Sequence, residues 1–359
     1  MKNSMNTEPI NSLITSAIKI GMYPGAAISI GDKTGEFFRN YYGYRALFPK
    51  ELPMEESTLF DLASLTKIVS TTMVTLALVE SRKLSLESTL YSVLNGDYFD
   101  KHKHNDKKNI TIHQLMTHTS GLPAHINLHE MASTPEDVYC KILEQSLSSK
   151  SGCKFEYTCL GFILLGKICE IIGGANLNEL AHDYVFKPLG LKTATYNPCT
   201  KTYTFAQTKD QGELLNGVVH DKKARFMDGI SGNAGVFADI SDCSVLAKMF
   251  ANGSDKNKII SPLLFSQAVK NHISHCDGSR GLGFDVKGRA PASCGRIFPV
   301  GSYGHTGFTG TSIWVDAETS QYVVFLTNRA LLHDNNSGML EFRSKLHDCC
   351  AIQYRKMKE

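Results

Sequence analysis

The sequence predicts an α/β fold of the α+β kind, with one antiparallel sheet built from both chain ends and flanked by helices, beside a mostly helical region. Three observations carry this. "INSLITSAIKIG" has apolar residues at helical spacing and stops at Gly21, and "PGAAISIGDKTGEFFRNYYGYR" then reads as two strands joined by a turn at Asp32 to Gly35. Near the other end, "TSIWVDAETSQYVVFLTNR" repeats the pattern of two β-rich runs around a polar turn, and "SGMLEFRSKLHDCCAIQYRKM" closes with an amphipathic helix. Between them lie helical stretches at 65 to 82, 111 to 118, 134 to 147, 159 to 173 and 241 to 253, with Pro135 and Gly173 as start and stop signals. The α/β part is thus expected at 1–62 and 283–359, and the mostly helical part at 63–282. Bringing the ends together lets sheet and helices bury one another's apolar faces.

Composition narrows the function classes. A chain of 359 residues, 42% hydrophobic and 20% charged, can bury a substantial core, and its length corresponds to roughly two domain-sized units. The net charge of +3 is too small to imply a nucleic-acid partner. The one basic run, Lys101-His102-Lys103-His104 with Lys107-Lys108, is broken by Asn105 and Asp106 and reads as a solvated loop. The first 25 residues hold no uninterrupted apolar segment of signal-peptide length, and no later stretch reads as a membrane span, so a cytoplasmic location without membrane partners is expected. The ten cysteines are scattered, without CxxC pairs or a His/Cys cluster, which fits reduced side chains better than a disulfide framework. Cys349 and Cys350 fall in the terminal helix.

Ser64-Leu65-Thr66-Lys67 sets a hydroxyl and an amine at i and i+3, on one face of a helix that starts near Ser64. A serine hydroxyl becomes a nucleophile when a base takes its proton, and a lysine serves as that base if burial keeps it partly neutral. Spacing alone is weak, since Ser16-Lys19 and Ser151-Lys154 share it. The Ser64-Lys67 pair differs in following the strand-like "TLFDLA" and opening the most apolar helix of the chain. The competing role for Ser64 is a helix N-cap. Tyr157 precedes another apolar helix, either as a core residue with a hydrogen-bonded tip or as a proton carrier. "GSYGHTGFTGTSIWVD" places glycines at 301, 304, 307 and 310 before a strand, and it lacks the GK[ST] of a phosphate loop. It reads as a strand edge where small residues admit a ligand to the backbone, with amides for an oxyanion and His305 as an added donor or charge.

A metal site from His102, His104, His113, His118, His125 and His129 is the competing chemistry. "HINLHE" puts His125 and His129 at i and i+4 before Glu130, but it lacks the HExxH arrangement, so neither a metal nor a cofactor is expected.

Ser64-x-x-Lys67, Tyr157-Thr158-Cys159 and His305-Thr306-Gly307 occur in the order and spacing of the active-site elements of serine β-lactamases and penicillin-binding proteins, and the chain resembles the class C β-lactamase-related family. The segments "LMTHTSGLP", "YTCLGFILLGKI", "VVHDKKARFMDGISGNAGVFADISD" and "GHTGFTGTSIWVD" extend the resemblance over nearly the whole chain. It implies a β-lactamase/transpeptidase-like fold, with 1–359 as a single catalytic unit. It also implies that Ser64 forms an acyl-enzyme while Lys67 and Tyr157 move its proton to the leaving group. The backbone N–H groups of Ser64 and Phe308 would form the oxyanion hole, and Cys159, His305, Thr306 and Gly307 would line the substrate site.

Two departures shape the expected substrate. Cys159 replaces the asparagine of a Tyr-x-Asn motif, and His305 replaces a lysine that clamps a substrate carboxylate. Both point away from efficient β-lactam hydrolysis and toward an esterase or amidase acting on a small cytoplasmic ester or amide. A D-amino-acid peptidase or DD-carboxypeptidase, β-lactamase-like activity, an acyltransferase and a poorly catalytic ligand-binding homologue are the alternatives.

Overall fold

The computed structural model describes residues 4–99, 105–253, 255–276, 278–290, 292–335 and 338–359. The basic run at 101–104, with His102 and His104, lies outside the described residues. A helix at Glu8–Lys19 opens the chain and leads into strands β1 (Gly25–Asp32), β2 (Gly35–Ala46), β3 (Leu52–Pro53) and β4 (Thr58–Asp61). Strands β5 (Thr195–Tyr196), β6 (Thr204–Phe205), β7 (Thr208–Asp210), β8 (Glu213–Leu215) and β9 (Val236–Ala238) lie in the middle. The last are β10 (Asp285–Val286), β11 (Tyr303–Thr306), β12 (Ser312–Val315) and β13 (Tyr322–Thr327), before the terminal helix Met339–Lys358.

Both ends do share one sheet. Its order is β10-β11-β12-β13-β1-β2-β3, antiparallel throughout, and the join sets Ala26 of β1 opposite Thr327 of β13 and Gly31 opposite Tyr322. Every residue of β1 and β13 is buried, because both faces of the sheet are covered. The two-residue period of a strand divides their side chains between two cores. Ala26, Ile28 and Ile30 with Val323 and Phe325 meet Ile10, Ile14, Phe342 and Leu346 of the two terminal helices. Ala27, Val324 and Leu326 face the larger core, where Leu246, Ala247 and Phe250 of the helix Ile240–Asn252 pack.

Helices at Thr72–Glu80, Ile112–Met116, Asp137–Glu144, Leu160–Gly173 and Ile240–Asn252 each fall within a residue of an expected stretch. The glycine that stops the fourth is Gly174, at φ +73°, one residue beyond the one read from the sequence. The middle is less uniformly helical than expected, since β5-β9-β4-β6 forms a second sheet and β7-β8 a third. Strand β4 belongs to that second sheet, paired with β9 and β6, and so carries the chain away from the large sheet just before Ser64. The run Ala63–Glu80 has the length and mean hydropathy, 1.2, of a short membrane span, contrary to the expectation that no stretch does. It lies 83% buried in the protein, which accounts for its apolarity. Cys349 and Cys350 sit in the terminal helix as free thiols.

Asn328, directly after β13, fastens the two ends of the chain. Its Oδ1 accepts from the N–H of Gly25 (3.0 Å), and its Nδ2 donates to the carbonyls of Tyr44 (3.2 Å) and Arg45 (3.1 Å). Asn328→Ala leaves those buried groups unpaired and is expected to lower stability by about 2 kcal/mol. In urea unfolding this appears as a lower midpoint with an unchanged slope; a midpoint equal to wild type would refute it.

Candidate active site

The nucleophile segment starts where β4 ends. Asp61 Oδ1 accepts from the N–H of Ala63 (2.8 Å), and Ala63 takes φ +49°, a costly conformation for a residue with a side chain. That kink turns the chain into the short 3₁₀ turn Ala63–Leu65, followed by a wide π-helical turn at Lys67–Thr71. Ser64 is inside the first turn, and the capping position belongs to Leu62, so Ser64 is not an N-cap. Lys67 is fully buried, with its Nζ 3.0 Å from Ser64 Oγ and 3.1 Å from the Asn233 carbonyl. The other two pairs are otherwise engaged. Ser16 and Lys19 lie in the first helix, and Ser151 bonds Gln114 (2.6 Å) while Lys154 pairs with Glu156 (3.4 Å).

Tyr157 and Cys159 stand on the approach to the helix Leu160–Gly173, and both meet the lysine. Cys159 Sγ lies 3.6 Å from Lys67 Nζ, and the Tyr157 and Phe162 rings lie 5.2 and 5.7 Å from it. Burial pushes the Lys67 amine down, but charge on the Cys159 and Tyr157 side chains, with a hydrogen bond that Lys67 donates to the Tyr157 oxygen, outweighs it and holds the pKa above the ordinary value. The expectation that burial keeps this lysine partly neutral is therefore corrected: neighbours able to carry negative charge favour the ammonium.

His305 and Thr306 end β11. Strand β10 pairs only with Tyr303 and Gly304, so the outer side of β11 is open from His305 onward. Gly304 and Gly307 also meet a packing demand. A Cβ on Gly304 would lie 2.1 Å from the Ile313 carbonyl, and one on Gly307 would lie 2.6 Å from the Leu62 carbonyl. Thr309 and Thr311 hydroxyls donate to the carbonyls of Asp61 (2.8 Å) and Leu62 (3.1 Å), drawing the β11–β12 turn against the nucleophile segment. The Ser64 N–H is at the start of its turn, where helical geometry supplies no acceptor. Phe308 is partly exposed, with its ring between His220 (5.2 Å, stacked) and Arg329 (4.7 Å).

His305 differs from the donor expected of it. Its Nδ1–H donates to the Thr306 carbonyl (2.8 Å), so in the neutral ring the buried Nε2 is an acceptor. Burial, then the charges of Arg280 and Lys67, hold its pKa well below the ordinary histidine value. His118, at φ +56°, is also buried and held low by the same causes. Its Nδ1 accepts from the Thr158 N–H (3.3 Å), which leaves Nε2–H as a buried donor without a partner among the described residues. The positive charge comes instead from Arg280, 6% exposed, whose guanidinium lies 5.6 Å from the Tyr157 ring and 5.2 Å from that of Phe155. Among the described residues its Nε and Nη1 have no hydrogen-bond partner, and the Asp285 carboxylate is 3.8 Å away. A groove of about 1320 Å³, reaching Phe155, Lys270, Asp285, Thr306 and Arg343, opens beside the Ser64–Lys67 pair and not over it.

The structure thus brings together Ser64, Lys67, Tyr157 and Cys159 around one amine, with His305 6.0 Å from the Tyr157 ring. Asn233, His118 and Arg280 are further members that sequence reasoning missed as such. His118 and Asn233 lie inside "LMTHTSGLP" and "ISGNAGVF", which marks them by segment but not by role. Arg280 has no local signal, since a buried arginine reads like any surface one. The histidines of the metal reading separate: His113 bonds His272 (3.1 Å), and His129 lies 3.7 Å from Glu130. Among the described residues no three His, Cys, Asp or Glu side chains form a metal-ligand group.

The profile of the Beta-lactamase family matches residues 10–343. The N-acetylmuramyl-L-alanine amidase of Bacillus subtilis (strain 168) is 30% identical over 361 residues, covering 89% of this chain and 80% of that protein. An Escherichia coli (strain K12) protein, named provisionally as a D-alanyl-D-alanine carboxypeptidase, is 27% identical over 91% of this chain and 84% of its own. Among solved structures, EstCE1, a hydrolase with promiscuous acyltransferase activity, superposes with a TM-score of 0.77 over 96% of this chain and 98% of that one, at 22% identity.

A base held below its ordinary value is already neutral at pH 6.5 and above, so His305 has no charge to lose near neutrality. The rate of Ser64 labelling by a fluorophosphonate is expected to follow the same pH profile between pH 6 and 8 in wild type and His305→Gln. A wild-type limb near pH 6.5 that vanishes in the variant would show that the imidazole titrates there.

Proposed function

The chain belongs to the Beta-lactamase family, whose fold carries serine hydrolases, and on that footing we propose that it is an esterase or amidase that cleaves a small substrate through an acyl-enzyme on Ser64. The observation that carries the proposal is the 3.0 Å contact between the Ser64 hydroxyl and a fully buried Lys67 amine. Lys67, 3.0 Å from Ser64 Oγ, and Tyr157, whose ring lies 5.2 Å from the amine, act as one relay that takes the proton of Ser64 as its oxygen attacks.

Ser64 Oγ then bonds the substrate carbonyl carbon, whose oxygen takes negative charge and is held by the amides of Ser64 and Phe308. As the carbonyl reforms, the bond to the leaving oxygen or nitrogen breaks, and the proton taken from Ser64 passes from the relay to that atom. Water adds to the acyl-enzyme along the same route in reverse, releasing a carboxylic acid and restoring the Ser64 hydroxyl. Cytoplasmic residence is part of the proposal, in keeping with ten scattered cysteines that a reducing compartment leaves as thiols.

A second reading, a D-amino-acid peptidase, is favoured by the donors around Tyr157. Arg280 Nε and Nη1 and His118 Nε2 are buried without partners among the described residues, a set suited to a carboxylate. Arg280 here takes over the cationic role that His305, as a neutral ring, does not fill.

Two measurements separate these. Wild type is expected to label at Ser64 with a fluorophosphonate and to hydrolyse p-nitrophenyl acetate, with Ser64→Ala doing neither; equal rates in the two would sink the hydrolase reading. On the peptidase reading, wild type cleaves an acyl-D-alanyl-D-alanine peptide in preference to its C-terminal amide. Arg280→Gln then loses about tenfold to a hundredfold of that preference, the range for a charge-assisted hydrogen bond, while p-nitrophenyl acetate turnover stays within a few-fold. An unchanged preference would leave the esterase reading alone.

A further inference from the structure

The β11–β12 turn is held from behind by two buried arginines. Arg343, from the terminal helix and 4% exposed, donates from Nη2 to the carbonyls of Gly307 (2.9 Å) and Thr311 (3.0 Å), one on each side of the turn. Arg329, 1% exposed, donates from Nε to the Phe308 carbonyl (3.1 Å), again from Nη2 to the same oxygen, and from Nη1 to the His333 carbonyl (2.9 Å). Burial and the charge of Arg329 push the Arg343 pKa down to about 9, which leaves it a cation at neutral pH.

The Gly307 carbonyl and the Phe308 N–H belong to one trans peptide, and in a planar trans peptide these two groups point in opposite directions. Fixing the carbonyl on Arg343 therefore fixes the direction of the N–H, away from the terminal helix. Gly307 abuts Leu62 and Ala63, and β11 packs on the Ala63–Leu65 turn, so that peptide borders the nucleophile. We propose that Arg343 is a positioning residue for the oxyanion hole: by holding the Gly307 carbonyl it orients the Phe308 amide toward the oxygen that gains charge when Ser64 attacks. Arg329 fixes the next carbonyl, so the Phe308 residue is pinned at both of its peptide bonds. The proposal rests on the acyl-enzyme reading above. It adds that the terminal helix, remote in sequence from Ser64, sets the rate of the chemical step without touching substrate.

The test is steady-state hydrolysis of p-nitrophenyl acetate by wild type, Arg343→Met and Arg343→Lys, with phenylboronic acid as a tetrahedral mimic. Loss of an aligned oxyanion donor acts on the transition state. Arg343→Met is expected to lower kcat about tenfold to a hundredfold with KM within about twofold, and to weaken phenylboronic acid inhibition by a similar factor. Arg343→Lys, which keeps one donor, recovers part of both. If Arg343→Met shows no cooperative unfolding transition, Arg343→Gln takes its place with the same expectation. Wild-type kcat in the folded variants, or a loss matched by KM with boronate affinity unchanged, would overturn the positioning role while the hydrolase reading stands. A wild type that neither labels at Ser64 nor turns over would overturn both.

Discussion

A lysine ammonium shut away from water has to find its solvation inside the protein, and the arrangement around Lys67 follows from that need. The Ser64 hydroxyl, the Asn233 carbonyl, the Cys159 sulfur and the faces of Tyr157 and Phe162 come from three separate segments and converge on one nitrogen. Their approach is close enough to dictate residues that do no chemistry. Gly232, beside Asn233, leaves no room for a Cβ, which would lie 1.9 Å from the Phe162 carbonyl. The same contacts that solvate the charge place a hydroxyl, a phenol and a cation together, so the site is a consequence of satisfying the buried amine.

On the other side of Ser64, buried charge is handled by a different device. Arg329 and Arg343 reach backbone carbonyls, and Arg280 stacks on Phe155 and Tyr157 with Asp285 only at 3.8 Å. Guanidinium groups suit this use because they are weakly hydrated and donate in several directions. Burial first, and then the charges of Arg280 and Lys67, hold the pKa values of His118 and His305 well below the ordinary histidine value. The cationic surroundings favour any step in which substrate oxygen becomes negative, and the neutral rings supply directional hydrogen bonds without competing for that charge.

The resemblance and the structure agree on the family and disagree on detail in ways that have physical reasons. Cys159, read as a missing amide, is a polarisable neighbour of the lysine. His305, read as a donor, spends its N–H on the adjacent carbonyl and turns an acceptor to the site. The glycines of the β11–β12 turn, read as room for a ligand, also make room for neighbouring groups, the Thr311 hydroxyl and Leu62 carbonyl at Gly307 and the Thr327 hydroxyl at Gly310. In each case the side chain is where the motif places it, and its function depends on which groups three-dimensional packing sets beside it.

By itself the sequence pointed to a sheet shared by both chain ends, the helices of the middle and the motifs that hold Ser64, Lys67, Tyr157 and His305. Those rest on local rules: apolar period, turn residues, and short motifs whose order along the chain is visible without folding. Strand β4 shows where such rules end, because its pairing with β9 and β6 depends on residues more than a hundred positions away. Only the tertiary structure decided the protonation of Lys67, the tautomer of His305 and the parts played by His118, Asn233, Arg280 and Arg343. Burial, electric field and hydrogen-bond partnership are properties of surroundings, and those surroundings are assembled from distant segments that carry no local mark of their meeting.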